Sequence, residues 1–149
     1  MATRKSTKKQ SAAPEEMRDR WLRELRALII KVEDWARELD WSYRRIERKM
    51  EDSQIGAYKA PALLLQKETI RVLMEPIARS APGVEGLVDL YLRPAYDDIA
   101  SLYHYGGGWH VHYPFPGDTP VGNIRETGGR PLSKDTFRQV LEEMVSHAE

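Results

Sequence analysis

The chain of 149 residues lacks cysteine, and its uninterrupted apolar runs reach only three or four residues, as in Ala62–Leu65. Without cysteine, disulfides and thiolate metal sites are excluded. The short apolar runs exclude a transmembrane helix, which needs about 20 consecutive apolar residues. The N-terminus has no apolar segment of the kind that a secretory signal contains. We therefore expect a soluble, cytoplasmic protein that does not contact a membrane.

The net charge of zero combines a basic N-terminus with an acidic remainder. The basic side chains of the first 13 residues are Arg4, Lys5, Lys8 and Lys9. They give this segment a charge of +4, so residues 14–149 hold 19 basic and 23 acidic side chains. We expect residues 1–13 to be a disordered basic tail and residues 14–149 to form a single domain. The tail supplies the candidate nucleic-acid contacts, although an acidic domain is poorly suited to phosphates.

A long helix is predicted to begin at Pro14. Proline is favourable in the first helical turn, and Glu15 and Glu16 place negative charge near the positive end of the helix dipole. Apolar residues then recur at alternating steps of four and three, which places them on one helix face. They are Trp21, Leu25, Leu28, Val32, Trp35 and Leu39, with Leu22, Ile29 and Ala36 beside them. This stripe is typical of a helix that packs on its own domain, and a coiled-coil homodimer is the alternative.

Alternating side chains predict strands in the middle of the chain, at Thr69–Met74 and Leu87–Arg93. The second segment places Val88, Leu90 and Leu92 on one face and Asp89, Tyr91 and Arg93 on the other, polar face. Short connections with Pro and Gly favour antiparallel pairing, because parallel strands need a crossover of about a dozen residues. For residues 41–52, and for residues 62–75 as a whole, helix and strand both remain open.

The last element is predicted to be a helix that begins at Ser133, a favourable N-cap residue. Its apolar face consists of Phe137, Val140, Leu141, Met144 and Ala148. Residues 117–131 are rich in Gly, Pro, Thr and Asn, which predicts a loop with one short strand near residues 122–125. The order of elements predicts an α+β fold, in which a long N-terminal helix and a C-terminal helix pack on an antiparallel, meander-type sheet.

Three of the four histidines lie in residues 103–113, on either side of Gly106–Gly108. The segment predicts a hairpin, and the length of its turn decides which side chains share a face. With a three-residue turn, His104, His110 and His112 share one face. With a turn of only the first two glycines, His104 moves to the face opposite the other two histidines.

In the first register the three histidines can present their imidazoles to one zinc ion, and Asp89 can supply a fourth ligand. Glu68 and Glu75 also invite comparison with metal-dependent nucleases, but the strand after Asp89 is not followed by Glu-x-Lys. The same hairpin is explained without an ion if its aromatic and β-branched residues form a buried face and its histidines form the opposite, half-exposed face. We therefore expect no metal and no cofactor. A metal-dependent hydrolase or nuclease-like enzyme with a histidine and carboxylate site is the alternative function.

The chain contains no catalytic motif with the required context, which favours a non-enzymatic protein. The expected function is a protein-interaction module, such as an accessory subunit, adaptor or inhibitor, that binds a protein partner. Its expected contact surface is the polar face of the sheet, because tyrosine and arginine are common in interface hot spots. The candidate residues are Asp89, Tyr91, Arg93, His104, His110 and His112. A homodimer is also compatible with the sequence.

Overall fold

The computed structural model describes residues 13–118 and 129–148, which form two helices and one seven-stranded sheet. In chain order the elements are α1 (Pro14–Glu38), β1 (Ser42–Asp52), β2 (Gly56–Lys67), β3 (Ile70–Ala78), β4 (Leu87–Leu92), β5 (Asp97–Tyr105), β6 (Gly108–His112), β7 (Arg130–Pro131) and α2 (Lys134–Ala148). Neighbouring strands are all antiparallel and follow each other in chain order. The predicted α+β fold, with two helices on an antiparallel meander, is confirmed.

The long helix α1 is confirmed, and most of its apolar stripe is buried, with Leu22, Trp35 and Leu39 half-buried. The buried residues of α1 are Trp21, Leu25, Leu28, Ile29, Val32, Glu33 and Ala36. Just after the helix, Asp40 adopts a φ of 64°, and the Trp41 N–H donates to the Ala36 carbonyl oxygen at 2.9 Å. A residue in this left-handed conformation commonly terminates a helix. The stripe packs into the same core as the sheet, as the packing interpretation predicts.

Residues 41–52 and 62–75, for which helix and strand both remained open, lie mainly in β1, β2 and β3. β1 pairs with β2 along its whole length, whereas β3 pairs only with the last five residues of β2. The other half of the β1–β2 hairpin is a two-stranded ribbon, which twists more than a wider sheet. Tyr58 and Ala60 in this ribbon are buried, although by alternation they lie on the side of β2 opposite Leu63. The twist explains how both sides of one strand contribute to the core.

Along β3–β6, successive side chains point to opposite sides of the sheet. The side covered by the helices is apolar, and its residues share one core cluster with both helices. Buried members of this cluster on the four strands include Val72, Met74, Val88, Leu90, Ala100, Leu102 and Val111. The side of β3–β6 that faces away from this core is called the outer face below, and strand pairing continues it onto β2 at Leu64 and onto β1 at Arg44.

The C-terminal helix α2 begins as predicted, because the Ser133 hydroxyl accepts the Thr136 N–H at 3.1 Å. The predicted residues Phe137, Val140, Leu141 and Met144 are buried, whereas Ala148 is exposed. The rings of Trp35 and Phe137 lie 5.7 Å apart, centroid to centroid, and join α2 to α1. Both helices therefore contribute to one core on one side of the sheet.

The prediction of a loop over residues 117–131 missed β7, whose residues Arg130 and Pro131 pair with β6. Two residues are too few for alternation to reveal a strand. The short strand predicted near residues 122–125 lies outside the described residues. Neither of the two described helices is long and apolar enough to cross a membrane.

Trp21 of α1 connects the helix to β2 and to β6. Its indole N–H donates to the Tyr58 hydroxyl at 3.1 Å, and its ring centroid lies 6.4 Å from that of Trp109. Gly86, just before β4, lies directly against this indole. A Cβ atom built at Gly86 would lie 2.5 Å from Cζ3 of Trp21, closer than real Cβ contacts come. The Trp21 ring can therefore occupy this position only because residue 86 has no side chain.

We expect Gly86→Ala to destabilise the protein by about 1–3 kcal/mol, because the added methyl group overpacks a buried indole. The matched control is Gly108→Ala, since a Cβ at Gly108 has no heavy atom within 4 Å. Urea unfolding of both variants and of the parent chain measures the difference. Equal stability of the two alanine variants would contradict the described contact between Gly86 and Trp21.

Candidate interaction surface

The outer face is organised as rows of side chains that run across the strands. Strand pairing aligns Leu64, Leu73 and Tyr91, which we call the apolar row. On one side of it, pairing aligns Glu75, Asp89, Ser101 and His112, which we call the polar row. Directly opposite residues on neighbouring strands have Cβ atoms about 5 Å apart, so side chains within a row contact each other.

The apolar row forms a second, smaller hydrophobic cluster. Its buried residues are Ala62, Leu73 and Tyr91, with Ile46, Leu64 and Ile99 packed against them. Tyr91 is only 6% exposed. The rings of Tyr91 and Tyr96 pack in an edge-to-face arrangement, with their centroids 4.6 Å apart. Tyr91 was predicted to be an exposed contact residue, and that placement is wrong because its neighbours on the twisted sheet cover it. Tyr96, which is 57% exposed, lies at the surface instead.

The polar row contains two buried carboxylates on facing positions of β3 and β4. Glu75 accepts the Tyr91 hydroxyl at 2.9 Å, and its other oxygen lies 2.7 Å from a guanidinium nitrogen of Arg48. Asp89, only 5% exposed, accepts hydrogen bonds from Tyr96 and, at 3.1 Å, from Ser101. Asp89 thus accepts a hydrogen bond on each oxygen, whereas Glu75 accepts one hydrogen bond and forms one ion pair, with no hydrogen bond to its second oxygen.

Burial raises the pKa of the Asp89 carboxyl above its ordinary value, and the nearby charge of Glu75 raises it further. The hydrogen bonds from Tyr96 and Ser101 oppose this shift because they favour the charged form. Burial also raises the pKa of Tyr96, whose hydroxyl is bound to Asp89. Asp89 was predicted to be an exposed contact residue; its position in this enclosed network corrects that placement.

The histidine hairpin has the two-residue turn. Gly106 and Gly107 have φ values of 59° and 80°, and Tyr105 pairs with Gly108. Positive φ at both central residues is the mark of a type I′ turn, for which glycine is suited. In this register His104 lies opposite Trp109 and His110 lies opposite Tyr103. The three histidines therefore do not share a face.

His104 lies on the inner side of β5, beside α1. Its ring nitrogens are 3.5 Å from a Glu24 oxygen and 3.7 Å from a Glu85 oxygen. The Trp109 ring contacts it edge-on, with the centroids 5.0 Å apart. His104 was predicted to belong to the contact surface with the other histidines; that placement is wrong because the turn is one residue shorter than the triad requires.

His110 and His112 lie on the outer face, where aromatic rings surround them. His110 stacks on Tyr105 at 3.8 Å between centroids and an interplanar angle of 8°. His112 is 8% exposed, and its Nε2 lies 3.3 Å from the Tyr105 hydroxyl oxygen. The rings of His112 and Tyr103 are nearly perpendicular, with their centroids 4.7 Å apart. His112 therefore belongs to the packed interior of the outer face, and only His110 of the pair is partly exposed.

The hypothetical metal ligands His104, His110, His112 and Asp89 are not brought together. Within residues 13–118 and 129–148, no three His, Asp or Glu side chains are arranged to hold a metal ion. The two-residue turn separates His104 from the other two histidines, and the oxygens of Asp89 already accept hydroxyl donors. The carboxylates of the polar row therefore form a structural network rather than an open set of ligands.

Three exposed arginines lie at one corner of the outer face: Arg44 continues the apolar row onto β1, and Arg71 and Arg93 lie on the side of this row away from the polar row. We call Arg44, Arg71 and Arg93 the arginine corner. The Arg93 N–H donates to the Arg71 carbonyl oxygen at 2.9 Å, which places these two residues opposite each other. A shallow depression of about 320 Å³ lies between Arg44 and Arg71.

Of the three arginines, the sequence prediction singled out only Arg93. The face of Arg44 could not be predicted, because helix and strand were both open for residues 41–52. Arg71 was recognised as alternating with apolar neighbours, but its position beside Arg93 depends on the pairing of β3 with β4. The candidate nucleic-acid contacts Arg4, Lys5, Lys8 and Lys9 lie outside the described residues.

Comparison of the chain with family models, with curated proteins and with solved structures finds no match.

The raised pKa of Asp89 predicts a pH-dependent effect of Asp89→Asn. Because the folded state binds this proton more tightly than the unfolded chain, Asp89 makes folding less favourable as pH rises above about 4. Asparagine has no such proton. The free energy of unfolding of Asp89→Asn, relative to the parent chain, should therefore increase between about pH 3 and pH 7.

Urea unfolding at a series of pH values measures this difference. Asp19→Asn, on the exposed surface of α1, controls for the loss of a carboxylate. A difference between Asp89→Asn and the parent that stays constant, or that falls as pH rises, would show that burial does not raise the pKa of Asp89.

Proposed function

We propose that this chain is a small cytoplasmic protein-binding module, acting as an accessory subunit, adaptor or inhibitor, and that it contacts its partner through the outer face of the sheet. The observation that carries the proposal is that, within residues 13–118 and 129–148, both helices cover the same side of the sheet. Both helices contribute to the core on the inner side, whereas the outer face carries its own apolar cluster with exposed tyrosine and arginine around it.

The composition of the outer face supports a protein as the ligand. Tyr96 presents a largely exposed ring beside the buried Tyr91, and Arg93 of the arginine corner follows Tyr91 by two residues, at the same end of β4. Tyrosine and arginine around an apolar centre are typical of interface hot spots, because both combine large contact area with directed hydrogen bonds. Tyr91 supports this surface from below, since its hydroxyl is bound to Glu75.

The hydrogen bonds and the ion pair that hold the buried carboxylates support binding rather than catalysis. Glu75 and Asp89 are held by tyrosine, serine and arginine side chains of the same chain. An acid or base in catalysis must reach a substrate, and both carboxylates are buried beneath side chains of their own chain. The network instead fixes Tyr91 and Tyr96, which shape the surface.

Site-specific photocrosslinking tests this proposal. Tyr96 is replaced with benzoylphenylalanine, which retains an aromatic ring at this exposed position, and the chain is irradiated in cells of its native host. The control places the same residue at Ile30, a 52% exposed apolar side chain on α1. We expect discrete adducts of a different protein from position 96 that are absent from position 30, identified by mass spectrometry.

Several outcomes would overturn the proposal. The absence of adducts at position 96, or the same adducts from both positions, would show that the outer face is not a specific contact surface. An adduct of two copies of this chain would assign the face to self-association and contradict a different partner. Circular dichroism of both variants verifies that they fold like the parent chain.

A further inference from the structure

We infer that the partner presents an acidic, extended protein segment to the arginine corner, and this inference rests on the proposed function of the outer face. The corner lies beside the apolar row, so one segment can place carboxylates on Arg44, Arg71 and Arg93 and apolar side chains on Leu64. The occupant is thus a peptide that carries both acidic and apolar side chains.

Strand pairing creates the corner. Arg44 lies opposite Leu64, Gln66 lies opposite Arg71, and Arg93 continues the same ladder beyond Arg71. Neighbouring strands are about 4.8 Å apart, so the three side chains emerge from one small area of the outer face. The depression between Arg44 and Arg71 gives this area a concave form, and Leu64 contributes an apolar wall.

Charge distinguishes the corner from the other arginines of the sheet. Three other arginines on or next to β1 and β3 are paired within the chain, at 2.7–3.1 Å from a carboxylate oxygen: Arg45 with Glu33, Arg48 with Glu75 and Arg79 with Asp52. None of the corner arginines forms such a pair with any described carboxylate. The corner therefore holds an excess of positive charge.

The opposition of Arg71 and Arg93 is unfavourable in the isolated chain. Like charges directly opposite on neighbouring strands destabilise a sheet. Carboxylates of a partner would remove this repulsion and form charge-assisted, bidentate hydrogen bonds with the guanidinium groups. The charge repulsion in the free protein and the hydrogen bonds in the complex both favour an anionic ligand.

A polypeptide suits this surface better than a nucleic acid. Residues 14–149 carry four more acidic than basic side chains, which weakens the attraction of a phosphate backbone. The arginines cover only one corner of the face, whereas a nucleic acid requires a longer basic track. The half-buried Leu64 beside the arginines favours an apolar side chain, which an extended peptide supplies at alternate positions.

Fluorescence anisotropy with defined probes tests the inference. The first probe is a labelled peptide of alternating aspartate and leucine, the second has asparagine for each aspartate, and the third is a single-stranded oligonucleotide of similar length. We expect only the aspartate peptide to bind, with an affinity about ten-fold lower at 300 mM than at 50 mM NaCl, because salt screens exposed charges.

Charge reversal locates the binding. The double variant Arg44→Glu/Arg71→Glu should weaken binding of the aspartate peptide at least about ten-fold. The matched control Arg23→Glu/Arg26→Glu reverses two exposed arginines on α1 and should leave the affinity within about two-fold. If the first double variant fails to fold, Arg44→Gln/Arg71→Gln removes the charge without introducing repulsion and should still weaken binding.

The inference fails if the aspartate peptide does not bind, if the asparagine peptide binds equally well, or if charge reversal on α1 has the same effect as reversal at the corner. Preferential binding of the oligonucleotide that is lost on corner reversal would assign the arginines to phosphate instead. The crosslinks from position 96 separate the two proposals: adducts there without aspartate-peptide binding retain the interaction surface and refute the acidic partner.

Discussion

The packing of α1 on one side of an antiparallel sheet determines most of this structure. Because side chains alternate along each strand, covering one side with a helix divides every strand into an inner and an outer set of residues. The inner set is apolar and shares one core with Trp21, Leu25 and the other stripe residues of α1. The outer set is free to carry polar and charged side chains, and the apolar, polar and arginine groups of the outer face follow from that freedom.

The outer face combines buried charge with exposed charge, and the two have different physical roles. Glu75 and Asp89 are shielded from water, so each needs donors from the same chain, and Tyr91, Tyr96, Ser101 and Arg48 supply them. Such a network orders the side chains around it and holds the surface in one shape. The exposed arginines at the corner have no comparable partner among the described carboxylates. This contrast underlies the proposed division between a supporting network and a contact surface.

The fold was largely predictable because its periodic signals are strong. The stripe of α1, the cap at Ser133 and the alternation around Val88 and Leu90 each depend on local spacing, and each is confirmed. Residues 41–52 were harder, because most of β1 is exposed on both sides and its charged residues fit either a helix or a strand. Only pairing with β2 resolves such a segment.

The surface was less predictable because it depends on register and on long-range contacts. One residue in the turn at Gly106 and Gly107 decided the side of His104, and three consecutive glycines permit a turn of two or of three residues. Polarity suggested that Asp89 and Tyr91 are exposed, but neighbouring strands bury both. Arg44 and Arg71 carry no local motif at all, and only the order of the strands brings them near Arg93.

The central claim, that α1 and α2 cover one side of the sheet and leave the other side accessible, can be measured by thiol labelling, since the chain has no cysteine of its own. Single cysteines are introduced on the outer face at Arg71 and on the inner side at Val72, and their rates of reaction with a maleimide are compared in the folded protein. The account predicts rapid labelling at position 71 and labelling at position 72 that is limited by unfolding. Similar rates at the two positions, or protection of position 71, would contradict it.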